Sequence, residues 1–279
     1  MSKYLIINAD DFGYNEYQNN AIIELLENNL ITSTSLLAVA PNARDAVEFS
    51  KNRGIDVGVH LTINSDDENN KWQSLSKASS FKNGLPNNQK DLIFKTTRKD
   101  VRTELEKQYR FITDNSGTVD HADNHCATLY GINGRRFYID AFDFCAEHNL
   151  PYRFPKTSGF LERQLGRNVV NILKKYQQMI VNAGKKRGVK MLDDLVSNPF
   201  SMDKIKSYNT LEKYYLDAVD NCINGVTEIF LHPALPVDGE QGEWQKRVFE
   251  YQLLKSGCLL ERAKQKGINV VSWKIFEQL

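Results

Sequence analysis

The 279-residue chain lacks the features that most quickly classify a protein. Its four cysteines (Cys126, Cys145, Cys222 and Cys258) are scattered, and no CxxC pair exists, which excludes a zinc ribbon or a thioredoxin-type motif. Cysteine density this low also argues against a disulfide framework. Charge of one sign is missing: 36 Lys and Arg stand against 35 Asp and Glu, net +1, so no global field would hold the chain on nucleic acid or an anionic membrane. No basic run with interleaved aromatics points to nucleic acid either. Long apolar runs are absent. The stretch Lys3-Tyr4-Leu5-Ile6-Ile7 is too short for a signal peptide or a membrane span, so a cytoplasmic protein with reduced thiols is expected. No Gly-, Pro- or Ser-rich linker divides the sequence, and one domain over residues 1–279 is expected.

What is present is alternation. Short runs rich in Val, Ile, Leu or Phe predict strands at Tyr4–Ala9, Ser35–Ala40, Asp56–His60, Thr118–Ala122, Tyr152–Phe154, Leu192–Val196, Glu228–His232 and Asn269–Trp273. Amphipathic stretches predict helices at Glu16–Asn28, Ala43–Asn52, Asp91–Asn115, Gly134–His148, Arg163–Lys186, Thr210–Asn221 and Glu243–Lys266. Strand–helix alternation implies parallel strands with crossover helices. The expected fold is α/β: a single-domain (β/α) barrel, distorted or incomplete, with a doubly wound open sheet as the competing arrangement. The polar stretch from Asn64 to Gln89 follows a strand and precedes a helix, and a loop that long is more often functional than accidental.

Histidine is scarce, five residues in the whole chain. Four of the five (His60, His121, His125 and His232) fall at or just past the end of a predicted strand. In a barrel all such ends meet on one face, the face that carries active sites. The first strand runs into Asn8-Ala9-Asp10-Asp11-Phe12-Gly13. One aspartate could bind a metal while its neighbour faces a bound water; equally, either could cap the helix that starts near Asn15. His60 in Gly58-Val59-His60-Leu61-Thr62 could be a ligand or a satisfied core residue. In His121-Ala122-Asp123-Asn124-His125, spacing of two puts the histidines and Asp123 on one face of an extended segment, where a carboxylate could orient imidazole ligands; the alternative is a polar turn. His232 precedes Pro233 at a strand end, suited to proton transfer near neutral pH. Arg153 lies between aromatics in Pro151-Tyr152-Arg153-Phe154-Pro155 and could snorkel or form a salt bridge; at a strand end it could also orient a catalytic carboxylate. Together these residue types suggest a mononuclear site of one carboxylate and two histidines, with positions left open for water and substrate, the arrangement of metal-assisted hydrolysis.

At these residues the chain resembles the YdjC/ChbG-like carbohydrate deacetylase family and, more distantly, the NodB-type polysaccharide deacetylases. The motifs are the Asn8–Gly13 segment, Gly58–Thr62, His121–His125 and Leu231-His232-Pro233, and the match spans nearly the whole chain. The resemblance implies a (β/α) barrel and one divalent ion, Mg²⁺ or Zn²⁺, bound by Asp11, His60 and His125. It implies Asp10 as general base, His232 as general acid and Arg153 as the residue that positions the base; the spacing of their own segment places His121 and Asp123 as supports behind the ligands. The reaction implied is hydrolysis of an N-acetyl group on an amino sugar or chitooligosaccharide. Hydrolysis of another amide, a lactam or an ester, or sugar binding without catalysis, are the competing functions. Where many relatives carry further histidines after His125, this chain has Cys126-Ala127-Thr128, which alters the pocket wall. Trp72, in Asn70-Lys71-Trp72-Gln73-Ser74, could stack on a sugar ring or pack the loop. A small carbohydrate is the expected partner, with neither nucleic acid nor membrane; a homodimer, common among relatives, would be permitted by the apolar positions on the long helices.

Overall fold

The computed structural model describes residues 2–66, 71–239 and 241–279. Among the described residues, seven strands form one parallel sheet: β1 (Lys3–Phe12), β2 (Ser33–Leu36), β3 (Val57–Leu61), β4 (Val119–Asn124), β5 (Asp194–Val196), β6 (Gly225–Leu231) and β7 (Asn269–Val270). Their order is β4-β3-β2-β1-β6-β5, with β7 paired to the first residues of β1. The helices are α1 (Glu16–Glu27), α2 (Ala43–Arg53), α3 (Gln89–Lys95), α4 (Arg98–Asp114), α5 (Phe137–His148), α6 (Gly159–Leu165), α7 (Asn171–Lys185), α8 (Met202–Ile205), α9 (Tyr208–Asp220), α10 (Glu243–Lys255) and α11 (Cys258–Gln265). Among the described residues, no helix is long and apolar enough to cross a membrane.

The sheet is the half-barrel of a distorted (β/α) barrel rather than a closed ring of eight. Tyr152–Phe154, expected as a strand, supplies only isolated parallel bridges, from Tyr152 to Ala122 on one side and to Met191 on the other. Pro151 and Pro155 flank it and have no N–H to give, so a regular ladder cannot extend in either direction. Ser35–Ala40 is likewise shorter than expected, because the chain turns after Leu36. Three predicted helices divide in two. Thr96 is extended, and the side chain of Thr97 caps α4 by accepting from the Asp100 N–H at 3.1 Å. The stretch Arg163–Lys186 divides between α6 and α7, and Gly257 with φ +71° separates α10 from α11.

Nearly every residue of β1 is buried, as a parallel strand covered on both faces requires. Leu5, Ile7 and Ala9 join the core between sheet and helices, whereas Ile6 belongs to a small inner cluster with Leu192, Leu195, Val226 and Trp273. That inner cluster closes the bottom of the barrel. Above it the inward residues become polar: Asn8 and Asp10 on β1, Ser35 on β2, His60 on β3, His121 and Asp123 on β4, Glu228 on β6.

Gly58 on β3 lies directly opposite His121 on β4. The His121 ring stacks on Trp273, 4.4 Å between centroids and 6° from parallel, and a Cβ built on Gly58 would fall 2.2 Å from its Nε2. A buried ring held by a stacking partner cannot move aside. Gly58→Ala is therefore expected to destabilise the fold by about 3 kcal/mol or more, seen as a lowered urea midpoint; an unchanged midpoint would show that His121 has room to retreat.

Candidate metal centre

The end of β1 sets the geometry. Inward residues alternate as Ile6, Asn8 and Asp10, and strict alternation would turn Asp11 outward. Instead the pairing with β2 shifts register between Ala9 and Phe12, and Asp11 adopts φ +67°. The left-handed conformation costs a non-glycine residue roughly 1 kcal/mol or more. It brings the Asp11 carboxylate over the strand end, so adjacent aspartates share one cleft. Neither caps α1: Asn15 does, accepting from the Gln18 N–H at 2.9 Å.

Asp11 Oδ1 lies 3.5 Å from His60 Nε2 and 3.4 Å from His125 Nδ1, and those two nitrogens are 3.3 Å apart. This oxygen is buried and has no hydrogen-bond partner among the described residues. The other oxygen, Oδ2, accepts from Arg247 Nη1 at 3.0 Å. Each imidazole turns its far nitrogen to a carboxylate: His60 Nδ1 to Asp123 Oδ1 at 2.7 Å, His125 Nε2 to Asp66 Oδ1 at 2.8 Å. Protons on those outer nitrogens donate to the carboxylates and leave lone pairs on the inner ones. Two nitrogen lone pairs and a lone carboxylate oxygen, all pointing at one spot, suit a divalent cation.

The local field agrees. Burial raises the Asp11 pKa, but His125 and the positive charge of His232 and Arg247 outweigh it and hold the carboxyl well below its usual range. Burial lowers His60, yet Asp123 carries it above its ordinary value. Burial also lowers His125, against which the Cys126 sulfur, Asp11 and Asp66 push it well upward. Both imidazoles sit where positive charge is favoured.

Asp10 is held differently. Arg153 Nη1 and Nη2 donate to its Oδ2 and Oδ1 at 2.7 and 2.8 Å, and Asn8 Nδ2 donates to Oδ1 at 2.7 Å. The same guanidinium, 2% exposed, reaches Asp123 Oδ2 at 2.8 Å and Glu228 through Nη2 at 2.7 Å and Nε at 3.0 Å. It lies over the Phe230 ring, 4.7 Å from its centroid. Asp123 also accepts from the Ser35 hydroxyl at 2.5 Å. One arginine against three carboxylates leaves an excess of negative charge. Burial accordingly raises Glu228 to about 7, against the pull of Arg153.

His232 follows β6, and its backbone N–H donates to Glu250 Oε2 at 2.7 Å; Tyr215 donates its hydroxyl to the other oxygen of Glu250 at 3.0 Å. The imidazole Nε2 stands 3.9 Å from Asp10 Oδ2. Burial, joined by the charge of Arg247, lowers the His232 pKa against the opposing pull of Asp11 and Asp10.

His121 does not join this group. Its Nδ1 meets Asp120 at 2.6 Å, and its Nε2 is 3.9 Å from Asp123 with no hydrogen-bond partner among the described residues. It and Asp123 share the inward face of β4, but His125 lies beyond the strand, where Cys126 and Ala127 take φ +52° and +53°. Spacing of two therefore ends at Asp123.

Trp72 is half-buried beside the cleft, edge-on to Tyr14 at 5.7 Å and tilted against His125 at 5.5 Å. The start of its motif, Asn70, lies outside the described residues. Helix α4 fixes the rest. Glu104 accepts from the Ser74 hydroxyl at 2.6 Å and from the Leu75 and Ser76 N–H groups at 3.1 and 2.9 Å. One turn on, Gln108 bonds both the N–H and the carbonyl of Thr62, just past β3. One turn back, Asp100 accepts from Ser79 and Ser80. Three residues at helical spacing thus hold the loop and the strand end together.

Glu228, Arg247, Glu250, Asp66, Tyr14 and Glu104 were not picked out by sequence. A charge inside the apolar run Val226–Leu231 was the available signal for Glu228; the others sit on helices or loops with no distinguishing pattern.

Two measurements test these assignments. The folded protein binds the Glu228 proton more tightly than the unfolded chain, so this residue's contribution to stability is lost as pH rises from 4.5 to about 7. Glu228→Gln removes that slope: relative to wild type its stability should improve by about 2 kcal/mol between pH 5 and pH 8 in urea melts, and a pH-independent difference would mean Glu228 keeps one charge state throughout. Glu104→Ala leaves the Leu75 and Ser76 N–H groups without their acceptor. Their hydrogen exchange should accelerate about tenfold or more, whereas unchanged protection would place the anchor of the loop elsewhere.

The model of the YdjC-like protein family matches residues 4–265. A carbohydrate deacetylase of Thermoanaerobacter pseudethanolicus is 25% identical over 99% of this chain and all of its own length, and one of Geobacillus stearothermophilus is 23% identical over the full length of both. A crystal structure from Enterococcus faecalis V583, named for cellobiose-phosphate cleavage, shares the fold with a TM-score of 0.75 at 24% identity over 99% of each chain. By the extent of the family match, this chain belongs to the YdjC-like protein family.

Proposed function

We propose that the chain hydrolyses the N-acetyl group of an amino sugar or short chitooligosaccharide, with a divalent cation held by Asp11 Oδ1, His60 Nε2 and His125 Nδ1. The observation that carries this reading is the buried, unpartnered Oδ1 of Asp11 facing two imidazole nitrogens at 3.4 and 3.5 Å. The carbohydrate deacetylases to which the chain is similar supply the substrate class. Two imidazoles with one carboxylate oxygen favour Zn²⁺ over Mg²⁺, which prefers oxygen donors.

A cation bound there supplies Lewis acidity to a water and to the substrate carbonyl. The chain's own groups divide the proton work. Asp10 accepts the proton of the attacking water; Arg153 and Asn8 fix the plane of its carboxylate. His232 stands 3.9 Å away across the cleft and donates from Nε2 to the departing amine. Glu250, by accepting from the His232 N–H, keeps that ring at the rim. Asp123 and Asp66 orient the two imidazoles, and Arg247 takes the second oxygen of Asp11, leaving Oδ1 as its one free donor. Trp72 and Tyr14 form an aromatic wall against which an acetamido sugar can lie.

Metal analysis and acetate release from diacetylchitobiose, measured on one preparation with and without chelator, test the reading. About one metal per chain and chelator-sensitive acetate are expected; acetate that survives full metal removal would refute it. Asp10→Asn should retain the metal and lose about 10²-fold or more in turnover, and His60→Ala should lose the metal itself. If Asp10→Asn also lost it, the roles of the two aspartates would be reversed.

A further inference from the structure

We propose that Asp66, His125 and Cys126 form a second cation site at the rim of the cleft, selective for a thiophilic divalent ion. The proposal rests on the reading above only in sharing His125, whose two nitrogens face opposite ways. Nδ1 points inward to Asp11 and His60; Nε2 points outward to Asp66 Oδ1 at 2.8 Å. Cys126 Sγ lies 3.5 Å from that same oxygen, and the three donor atoms fall within 4.8 Å of one another. The thiol is exposed, so an ion can reach it. The successive left-handed residues Cys126 and Ala127 fold the chain back instead of continuing β4, which brings the sulfur to the Asp66 side of the imidazole.

The spacing fits. Tetrahedral zinc, with bonds of about 2.0 Å to nitrogen and oxygen and 2.3 Å to sulfur, separates its donors by about 3.3–3.7 Å. The sulfur–oxygen separation already meets that range, and the nitrogen–oxygen pair needs to open by roughly half an ångström, a change a rim aspartate can absorb. The donor set of one thiolate, one imidazole and one carboxylate selects Zn²⁺, Co²⁺ or Cd²⁺ and rejects Mg²⁺. Two protons leave to solvent as the ion enters, one from the thiol and one from His125 Nε2. His125 then bridges two ions as imidazolate. Its inner nitrogen is no longer tuned by a hydrogen bond to Asp66, and the reaction is expected to slow. The second site is thus an inhibitory one, sensitive to excess zinc.

Cobalt(II) titration of the metal-free protein separates the two sites, because a cobalt–thiolate bond gives a near-ultraviolet charge-transfer band that nitrogen and oxygen ligands do not. The first equivalent should bind without that band, and the second should bring it. Cys126→Ser should keep the first equivalent and lose the band, whereas Cys258→Ser, at the other partly exposed thiol, should keep both. With zinc beyond one equivalent, acetate release should fall about tenfold in wild type and far less in Cys126→Ser. A first equivalent that binds with no thiolate band at any ratio overturns the second site while sparing the deacetylase reading. A band surviving in Cys126→Ser overturns it too, as does a band that arrives with the first equivalent. Failure of any cobalt to bind refutes both sites.

Discussion

Arg153 carries a full positive charge to the middle of the barrel, and the neighbouring carboxylates are arranged around that fact. Its guanidinium meets Glu228 on one edge, Asp10 on the other, and Asp123 from the side. A buried charge of this kind persists only with well-placed partners, and removal of the arginine would leave its buried carboxylates uncompensated, at a cost of about 3–5 kcal/mol or more. The consequences run outward. Asp123, steadied by Arg153 and Ser35, accepts from His60 and so sets which nitrogen of that ring faces Asp11. Asp10, steadied by the same guanidinium, faces His232. The ligand side and the proton-transfer side of the proposed reaction therefore depend on one side chain, and neither can shift without the other.

The incompleteness of the barrel belongs to the same arrangement. Arg153 enters from a segment bounded by two prolines that makes single bridges to its neighbours instead of a ladder. The backbone is still tied on both sides: Ala122 donates its N–H to Pro151 and Arg153 donates to Ala122, while Tyr152 donates to Lys190. The arginine thus projects inward from a fixed point. The weak edge between β4 and β5 is where a barrel can accommodate a long charged side chain with three partners, since no tightly paired strand column has to be filled there.

How much of this was legible in the sequence follows from what kind of interaction places each residue. Strand ends are written locally, in apolar runs closed by polar residues, and such runs mark Asp10, Asp11, His60 and His232 as strand-end candidates, while period-two spacing marks Asp123. The helices lay where the periodicity put them, but their breaks did not, because Thr97 as a cap and Gly257 as a stop interrupt patterns that continue in phase on either side. His121 shows the limit of spacing arguments. Period two places it correctly on the inward face, yet the height of a residue within a barrel depends on strand stagger, and His121 sits a layer below the cleft against Trp273, some 150 residues away in sequence. Arg247, Glu250 and Asp66 reach the site from α10 and from a loop. Only tertiary packing brings them there, and no local pattern marks them.

The adjacent aspartates show how one backbone feature separates two chemically identical groups. Asp10 keeps its strand conformation, and both its oxygens are engaged by Arg153, with Asn8 adding a third donor. Asp11 takes the left-handed conformation and leaves the ladder. One of its oxygens is sealed by Arg247, and the other is left bare between two imidazoles. A carboxylate held by a guanidinium at both oxygens can accept a proton at a remaining lone pair but offers a cation little that is free. A carboxylate with one buried, unpartnered oxygen has the reverse character, since that oxygen costs about 1–3 kcal/mol until something positive meets it. The strain at Asp11 and the orphaned oxygen are two parts of one cost, and a bound cation is what would offset both. In the proposed reaction the order of the pair, base first and ligand second, would then follow from where the ladder slips and not from any difference between the side chains.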